Sequence, residues 1–432
     1  MKNLSIFQIT LLAVFAALAV AGILVFALFV GSGGGNTVGP VVIWGPLDGN
    51  TFKAIIAQAT DNESRLAQVT YVQKDAATYE ADLTDALASG AGPDLFILRQ
   101  DYAVRDAGRV LVIPYSAISQ SQFENTFIQA ASPYLADTGV LGLPFAADPL
   151  VLYWNRDLFS TAGFSQPPSY WDQLGEMAPK LTRKNDAGTI LKAAIPFGSY
   201  GNVDNAKDIL SALILQAGGD ITRQDNVGRL VPALSARTGD NIQAAESAVR
   251  FYTEFADPSK ANYSWKQSLP HSQAAFAAGD VALYIGYASE KPAIARTNPN
   301  LNFAAAPLPQ IRGANRSVNV AHVYAFALAR TGGNPQGAIT IASLLSAADI
   351  SESLGTALGI PSARRDVLSV GASGDLDLFN KQAIQAVSWV DPDPDKTNAI
   401  FRDMINSVTS GSAEPTQAVQ RADKELGQAI GQ

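Results

Sequence analysis

From residue 40 onward, short apolar strands alternate with amphipathic helices, and this alternation restricts the possible folds more than any other feature of the chain. The pattern predicts strands at 41–44, 69–72 and 94–98, separated by helices at 50–61 and 78–88. Such alternation is typical of parallel, open α/β sheets. Ligands of these sheets bind beyond the carboxyl ends of the strands, so the turn after Trp44 and the segment 99–102 are expected to face one crevice.

The rest of the chain is long enough for a second α/β unit. With 432 residues, two or three folding units are expected. Further elements are predicted as helices near 168–181, 206–217, 241–256, 272–278, 335–346 and 397–430, and as strands at 302–306 and 323–329. These segments predict a second lobe that begins near residue 148.

The N-terminal segment has the composition of a transmembrane helix. Leu11 to Val30 is an uninterrupted run of 20 apolar or glycine residues, which as a helix would be about 30 Å long and match the hydrocarbon core of a bilayer. Lys2 precedes the run and no Lys or Arg follows it before Lys53, so the positive-inside rule places the remainder outside the cytoplasm. A flexible Gly-rich linker follows at 31–39. The alternative is a cleaved signal peptide, because 17–19 reads Ala-Leu-Ala.

Composition excludes several classes of function. The formal charge of −8 has the wrong sign for a nucleic-acid-binding surface. The absence of cysteine excludes disulfides, thiolate metal sites and a lipid-modified cysteine. Phosphate-binding, dinucleotide-binding, serine-hydrolase and HExxH motifs are missing, so we expect no enzyme, cofactor or metal site. The Asp-Pro run at 391–395 is interpreted as a solvated turn, because it lacks the glycine and distal glutamate of a calcium loop.

Several segments closely resemble one protein family. Residues 143–159 read LPFAADPLVLYWNRDLF, followed by AGF at 162–164 and PPSYWDQL at 167–174. Further matches are GPDLF at 92–96, LQAGGDI at 215–221, AFAAGDVALYIGY at 275–287, GIPSARRDVL at 359–368 and AIFRDMINSVTSG at 399–411. In order and spacing they resemble the inter-lobe crossover and flanking elements of the maltose-binding-protein-like family of extracellular solute-binding proteins, family 1. The resemblance covers nearly all of the chain after residue 40.

The resemblance implies an α/β, two-lobed periplasmic-binding-protein type II fold with hinge crossovers, preceded here by one N-terminal transmembrane helix. It implies a first lobe of residues 40–147 and 302–330 and a second lobe of 148–301 and 331–432. The implied function is to capture a small solute, with a carbohydrate as the first expectation, by closure of the two lobes about the hinge. The solute is then delivered to the permease of an ABC importer, and no reaction is catalysed. The implied location is the cytoplasmic membrane, with a single N-terminal anchor and the bulk of the chain outside.

The chemistry of sugars and the family positions together select the candidate ligand contacts. Sugars present apolar C–H faces to aromatic rings and hydroxyl groups to carboxylates and amides, so a sugar cleft combines both residue types. Trp44 ends the first strand, Asp148 lies at the expected hinge, and alternation puts Tyr153 and Trp154 on opposite faces of the following strand. Six further candidates lie at positions that the resemblance places near the cleft: Asp101, Tyr102, Tyr200, Tyr287, His322 and Arg364. Trp389, which precedes the Asp-Pro run, is expected to be an aromatic platform from the second lobe. Core packing or a structural turn is the alternative role for these residues.

Two other functions stay open. An extracytoplasmic glycosidase on this fold needs two carboxylates about 5 to 9.5 Å apart across the cleft, and Asp101 and Asp148 are the pair to consider. A membrane-anchored sensor or adhesion module can use the same fold without a transporter, because fold does not determine function.

Overall fold

The computed structural model describes residues 38–239 and 242–431. The predicted transmembrane segment 11–30 lies outside the described residues, as does most of the Gly-rich linker. Within the described part of the chain, no helix is both long and apolar enough to span a bilayer.

The strands are labelled β1 to β15 in chain order. They are β1 (Val41–Gly45), β2 (Val69–Gln73), β3 (Leu95–Arg99), β4 (Ile113–Pro114), β5 (Leu135–Ala136), β6 (Gly139–Val140), β7 (Leu143–Asn155), β8 (Arg183–Lys184), β9 (Ile190–Lys192), β10 (Thr222–Gln224), β11 (Leu230–Pro232), β12 (Leu283–Tyr287), β13 (Phe303–Ala306), β14 (Asn319–Leu328) and β15 (Ala386–Val387).

The α-helices are labelled α1 to α16. They are α1 (Gly49–Thr60), α2 (Tyr79–Ser89), α3 (Ala103–Asp106), α4 (Gln120–Thr126), α5 (Arg156–Thr161), α6 (Leu174–Leu181), α7 (Ala206–Gln216), α8 (Ala244–Glu254), α9 (Ser272–Ala277), α10 (Lys291–Thr297), α11 (Pro335–Leu345), α12 (Ala348–Leu358), α13 (Arg365–Leu368), α14 (Asp375–Ile384), α15 (Pro394–Thr409) and α16 (Pro415–Ile430). The C-terminal helical region predicted at 397–430 is therefore two helices, with a break between residues 409 and 415.

The first three strands form a parallel sheet, which confirms the prediction from the alternating pattern. β1 lies between β2 and β3 and pairs parallel with both. Its side chains alternate between buried and half-buried positions, as expected for a strand with period-two patterning. The predicted ends of these three strands and of α1 and α2 agree with the structure to within one residue.

Two long antiparallel strands, β7 and β14, connect this sheet to the rest of the molecule. Residues 143–149 of β7 pair with β14, and β14 in turn pairs with β3. Residues 150–155 of β7 pair instead with β12 and β13. The partner of β7 therefore changes near Asp148, which lies opposite His322 of β14. We call the part around β1, β2 and β3 the first lobe and the part around β12 and β13 the second lobe.

The contacts of the later elements correct the predicted lobe boundaries. β13 pairs with the far end of β7, so residues 303–306 belong to the second lobe rather than to the first. Helix α11 packs on β1 and β14, and α12 packs on α1, so residues 335–358 belong to the first lobe rather than to the second. Helix α14 packs on β7 and β13, which returns the chain to the second lobe.

Each lobe has an aromatic core. In the first lobe, Phe145 of β7 and Phe326 of β14 stack with ring centroids 4.3 Å apart, and Phe52 of α1 meets both rings edge-on. All three side chains are fully buried. In the second lobe, Tyr153 and Tyr284 stack across β7 and β12. The crossing strands therefore contribute large rings to both cores.

Phe145→Ala tests the first-lobe core. Because the ring is fully buried and contacts two other rings, its removal should lower the free energy of unfolding by about 3 to 5 kcal/mol. Phe145→Leu, which keeps most of the apolar volume, should cost less than about 2 kcal/mol. Urea unfolding followed by tryptophan fluorescence measures both values. A loss below about 1 kcal/mol for the alanine variant would contradict this packing.

Candidate functional site

A cleft lies beside the crossing strands, between the two lobes. It consists of two adjoining hollows with empty volumes of about 380 and 700 Å³, both of which include space open to solvent. Asp101, Lys207, Asp208 and His322 line both hollows, so the two form one continuous space.

The first lobe contributes the 3₁₀ turn Gln100–Tyr102, which directly follows β3. The Gln100 side chain continues the hydrogen bonding of the sheet where β3 ends. Its amide nitrogen donates to the carbonyl of Ala321 at 3.2 Å, and its carbonyl oxygen accepts from the backbone N–H of Val323 at 2.7 Å. These bonds fix the turn on β14, so that Asp101 faces the cleft from the carboxyl end of a parallel strand.

Asp101 forms a two-pronged ion pair with Arg99. The guanidinium Nε and Nη2 donate to the two carboxylate oxygens at 2.6 and 2.7 Å. Burial acts to raise the pKa of Asp101, but the charge and hydrogen bonds of Arg99 outweigh it and lower the pKa to about 2. Asp101 is therefore ionised at neutral pH, and its charge is compensated within the protein.

A second buried ion pair joins α7 to the segment after β15. Lys207 Nζ donates to Asp391 Oδ2 at 2.6 Å and to Thr397 Oγ1 at 2.7 Å. Burial raises the pKa of Asp391 to about 6, although the charge of Lys207 opposes this. Only 2% of Asp391 is exposed, so the interpretation of 391–395 as a solvated turn is wrong for its first residue. The local sequence has the composition of a turn, but a lysine distant in sequence pairs with the carboxylate.

Asp208, His322 and Tyr287 meet at the centre of the cleft. His322 Nε2 lies 3.9 Å from Asp208 Oδ2 and 2.9 Å from the Tyr287 hydroxyl oxygen. The rings of Tyr287 and His322 stack with centroids 4.1 Å apart. Burial, aided by the charge of Arg99, lowers the pKa of His322 well below its usual value, so the imidazole is neutral at pH 7. Burial also raises the pKa of Asp208.

Two serine hydroxyl groups in the cleft have no hydrogen-bond partner in the protein. Ser211 lies on α7, one turn after Asp208, and only 2% of its surface is exposed. The oxygen of Ser388, just after β15, is also buried and without a partner. Both residues line the smaller hollow. Because an unpaired buried hydroxyl is unfavourable, these two groups are available to water or to a bound solute.

Aromatic side chains of the second lobe complete the lining. Trp389 borders the smaller hollow, with the Phe401 ring nearly parallel to it at 6.2 Å and Lys207 Nζ 5.3 Å from the centroid of its ring. Tyr200 borders the larger hollow, where burial raises its pKa to about 12. The structure thus brings together five of the predicted contacts at one cleft, namely Asp101, Tyr200, Tyr287, His322 and Trp389.

The two predicted contacts at the end of β7 are corrected by the structure. Tyr153 is fully buried in the second-lobe core, and its hydroxyl donates to the carbonyl of Tyr287 at 2.8 Å. Trp154 points to the other face and packs edge-on against Phe159 at 5.3 Å, and it lines neither hollow. Alternation correctly puts the two rings on opposite faces, but beyond the hinge both faces of β7 are covered by the second lobe.

Asp148 and Arg364 serve structural roles rather than lining the hollows. Asp148 is 2% exposed, and its carboxylate accepts the backbone N–H of Ser289 at 3.0 Å. Arg364 donates to the Asp366 carboxylate at 3.0 and 2.7 Å and to the carbonyl of Ser346 at 3.1 Å. Asp148 therefore ties the hinge to the turn after β12, and Arg364 caps helices of the first lobe.

Trp44 and Tyr102 also lie outside the two hollows, and a neighbouring cation lies over each ring. Lys74 Nζ lies 3.5 Å from the ring centroid of Trp44. The guanidinium carbon of Arg105 lies 4.2 Å from the ring centroid of Tyr102. Each ring therefore makes a cation–π contact within the protein.

Segment 99–102 was expected to face the crevice, and Arg99, Gln100 and Asp101 line it. Sequence reasoning missed several other lining residues: Lys207, Asp208, Ser211, Ser388 and Asp391. One signal for part of this set was present. Asp208 and Ser211 are three residues apart, and so on one face, in the otherwise largely apolar helix α7. Polar groups on the buried face of a helix indicate partners or ligands, because such groups are costly to bury alone. Among the described residues, no group of three or more acidic or histidine side chains is arranged to hold a metal.

A protein-family model described as bacterial extracellular solute-binding protein matches residues 45–349. Among curated proteins, a putative binding protein of Brucella abortus (strain 2308) is 32% identical over 100 residues, 23% of this chain and 24% of the relative. The maltotriose-binding protein of Pyrococcus abyssi is 27% identical over 149 residues, 34% of this chain and 32% of the relative. The sn-glycerol-3-phosphate-binding periplasmic protein of Escherichia coli K12 is 27% identical over 161 residues, 34% of this chain and 37% of the relative. The chain thus matches only about a quarter to just over a third of these relatives' lengths.

Solved structures extend the similarity to almost the whole described chain. The cyclic α-maltosyl-1,6-maltose-binding protein of Arthrobacter globiformis superimposes with a TM-score of 0.74 at 17% identity, covering 91% of this chain and 99% of that one. The GacH receptor of Streptomyces glaucescens, solved unliganded and with acarbose, gives a TM-score of 0.71 at 17% identity, covering 91% and 98%. At this identity the likeness shows the two-lobed α/β fold.

Asp148→Asn tests the structural role of this carboxyl group through pH. Burial raises the pKa of Asp148 to about 7, although hydrogen bonds from Ser289 oppose this. Above pH 7 the buried carboxylate therefore destabilises the folded state, and this cost fades as the pH falls toward the unfolded pKa of about 4. Asparagine keeps an oxygen that accepts the Ser289 N–H without the charge. The variant should be more stable than the wild type by about 1 to 4 kcal/mol at pH 8 and equal to it at pH 4.

Urea unfolding of both proteins between pH 4 and 8 measures this difference. Asp280→Asn is the matched control at a carboxylate that is 52% exposed and pairs with Lys192, and it should not stabilise the protein at pH 8. A stability difference between Asp148→Asn and the wild type that stays constant across the pH range would contradict the assignment.

Proposed function

The chain belongs to the family of bacterial extracellular solute-binding proteins, and from this premise we propose that it captures a small carbohydrate in the cleft between its lobes and delivers it to the permease of an ABC importer. The observation that carries the proposal is the lining of the cleft. Aromatic faces at Trp389 and at the stacked Tyr287–His322 pair lie beside carboxylates and unpaired hydroxyl groups. This combination suits a ligand with apolar C–H faces and many hydroxyl groups.

Capture requires that the two lobes close on the solute. The lobes share the crossing strands β7 and β14, whose pairing changes partner near Asp148, a geometry that permits hinge bending. An ion pair already bridges the lobes, because Arg105 Nη1 of the first lobe lies 3.3 Å from Asp395 Oδ2 of the second. A solute that contacts both lobes favours the closed state, because it makes its full set of contacts only there.

The charges of the cleft favour a carbohydrate over a phosphate ester. Among the relatives, the Pyrococcus abyssi protein is named for maltotriose and the Escherichia coli protein for sn-glycerol 3-phosphate. Of the described residues that line the cleft, Arg99 and Lys207 are the permanent cations, and each pairs with its own carboxylate. A phosphate group would have to break one of these buried pairs, which costs several kcal/mol (on the order of 3 to 5).

The family implies an extracytoplasmic location. We propose that segment 11–30 anchors the chain in the cytoplasmic membrane and that the linker 31–39 lets the lobes reach a permease. Removal of this segment as a signal peptide is the alternative.

A sensor or adhesion module is the second candidate function, favoured by a tether in place of an anchoring cysteine. Loss of solute uptake on gene deletion supports import, whereas unchanged uptake supports sensing.

The cleft gives little support to a glycosidase. Asp101 is held ionised by Arg99, and Asp148 is buried against the Ser289 N–H rather than exposed to the cleft. A glycosidase needs one carboxyl group that protonates the leaving group and a second that either attacks the anomeric carbon of the sugar or activates a water molecule. Both groups must face the substrate. The predicted pair therefore lacks the required arrangement.

A solute screen tests the proposed function directly. Mono- and oligosaccharides, polyols, glycerol 3-phosphate and short peptides are each added to the full-length chain in mild detergent, and thermal unfolding is recorded. A carbohydrate present at 100 times its dissociation constant should add about 2.7 kcal/mol of stability. Unchanged sugar after incubation, checked by chromatography, should accompany binding. Stabilisation by no solute of any class, or release of hydrolysis products, would overturn the proposal.

Trp389→Ala tests the aromatic platform. Loss of the ring should weaken binding of the sugar found in the screen at least tenfold, about 1.4 kcal/mol, because a face that stacks on the sugar is removed. Trp154→Ala is a matched control, since it removes the same ring from the same lobe but away from the hollows. Titration calorimetry on both variants, with melting temperatures recorded, separates binding from stability. Equal weakening by the two substitutions would contradict the assignment of Trp389.

A further inference from the structure

The charged groups of the cleft leave one carboxylate without a cationic partner. The described residues that line the two hollows include the cations Arg99 and Lys207 and the carboxylates Asp101, Asp208 and Asp391. Arg99 pairs with Asp101, and Lys207 pairs with Asp391. The ionised cleft therefore carries an excess of one negative charge, and that charge lies on Asp208.

Asp208 has no cationic partner, and although the Tyr287 hydroxyl is within hydrogen-bonding reach of its carboxylate, the two oxygens keep further acceptor positions for a ligand. Its side chain is 30% exposed, and it borders both hollows. The nearest ionisable nitrogen, His322 Nε2, is 3.9 Å away, beyond hydrogen-bonding distance, and belongs to a neutral ring. Lys207, the preceding residue, directs its ammonium group to Asp391 and Thr397 instead. Neither neighbour supplies a direct positive partner.

Two hydroxyl groups beside Asp208 lack hydrogen-bond partners in the protein. Ser211 lies one helical turn farther along α7, and Ser388 lies just after β15 in the same hollow. The Ser211 side chain is almost completely buried, and neither hydroxyl has a hydrogen-bond partner in the protein. A hydroxyl group both donates and accepts, so these serines can bind ring hydroxyls of a ligand whose charged group contacts the carboxylate.

We propose that Asp208, Ser211 and Ser388 form a subsite that selects a sugar with a protonated amino group over its neutral and anionic counterparts. The proposal rests on the proposed function, because it names the class of carbohydrate that the same cleft takes. An ammonium group beside Asp208 compensates the unpaired charge and forms charge-assisted hydrogen bonds with it. A neutral sugar leaves the carboxylate uncompensated, and a phosphorylated sugar adds a second negative charge beside it.

Titration calorimetry of the full-length chain in mild detergent at pH 7 tests the selection. The probes are D-glucosamine and D-galactosamine, each compared with its N-acetyl derivative, its parent hexose and the hexose 6-phosphate. At least one amino sugar should bind ten times or more tightly than its three counterparts. Asp208→Asn should reduce this preference to less than threefold, since it keeps the size and an acceptor oxygen but removes the charge. Asp280→Asn, an exposed carboxylate outside the cleft, should leave the preference unchanged.

Ser211→Ala adds a readout that a purely structural role would not give. Removing a buried hydroxyl that lacks a protein partner should leave the melting temperature unchanged or raised. At the same time it should weaken binding of the amino sugar about three- to tenfold. A lower melting temperature with unchanged affinity would contradict a role for Ser211 in the subsite.

The remaining outcomes separate this inference from the proposed function. Equal or tighter binding of an N-acetyl, parent or phosphorylated sugar overturns the amino-sugar subsite but leaves carbohydrate capture standing. A preference that persists in Asp208→Asn also overturns the subsite. If none of the eight probes binds while another carbohydrate in the wider screen does, the subsite is again wrong and the proposed function stands. If no solute binds in either experiment, both proposals fail.

Discussion

The pairing of β7 with β14 is the constraint on which the rest of the structure depends. These antiparallel strands belong to both lobes, and their rings at Phe145 and Phe326 form the centre of the first-lobe core. Because backbone pairing fixes the register, Asp148 lies opposite His322 at the boundary. His322 and its neighbours on β14 therefore form the floor of the cleft. The strands that hold the lobes together also determine where a solute can bind.

The ion pairs of the cleft contribute to specificity more than to stability. Burying Lys207 with Asp391 removes both groups from water, a cost that their attraction only partly offsets. The pair fixes the position of α7 relative to the segment that carries Trp389, because it links the two. In the same way, Arg99 fixes Asp101 on the first-lobe side. With these charges compensated internally, the unpaired groups that remain decide which solute fits.

The sequence was sufficient to predict elements whose signals are local. The ends of strands β1, β2 and β3 were predicted to within one residue, because each is a short apolar segment bounded by turn residues. The predicted lobe boundaries were less accurate, because helices α11 and α12 join the first lobe through packing that sequence order does not reveal. From the order of the elements alone, residues that follow a crossing between the lobes are expected to stay in the lobe they have entered. Here the chain crosses again after α12, and α14 packs in the second lobe.

The candidate site was predictable in part, for the same physical reason. Tyr287 and His322 could be found because the family resemblance places them, and Trp389 because it precedes the Asp-Pro run, whereas Tyr153, selected from its position in the strand, lies in the core. The pairing of Asp391 with Lys207 joins residues 184 positions apart, and nothing near either residue indicates it. An Asp-Pro segment is typical of a solvated turn, and only the tertiary partner changes that interpretation.

Within this fold, the charge of the solute that is selected depends on whether a charged side chain in the cleft already has an ion-pair partner in the protein. A cation already paired with a carboxylate offers little to an anionic solute, because the pair must first be broken in a partly dry environment. An unpaired carboxylate such as Asp208 has the opposite effect, since it attracts donors and repels anions. The residues that set this balance lie on α7 and on the segment after β15, outside the crossing strands. Proteins with the same two lobes and hinge can therefore differ in the charge of their solute through a few side chains, without any change in the fold.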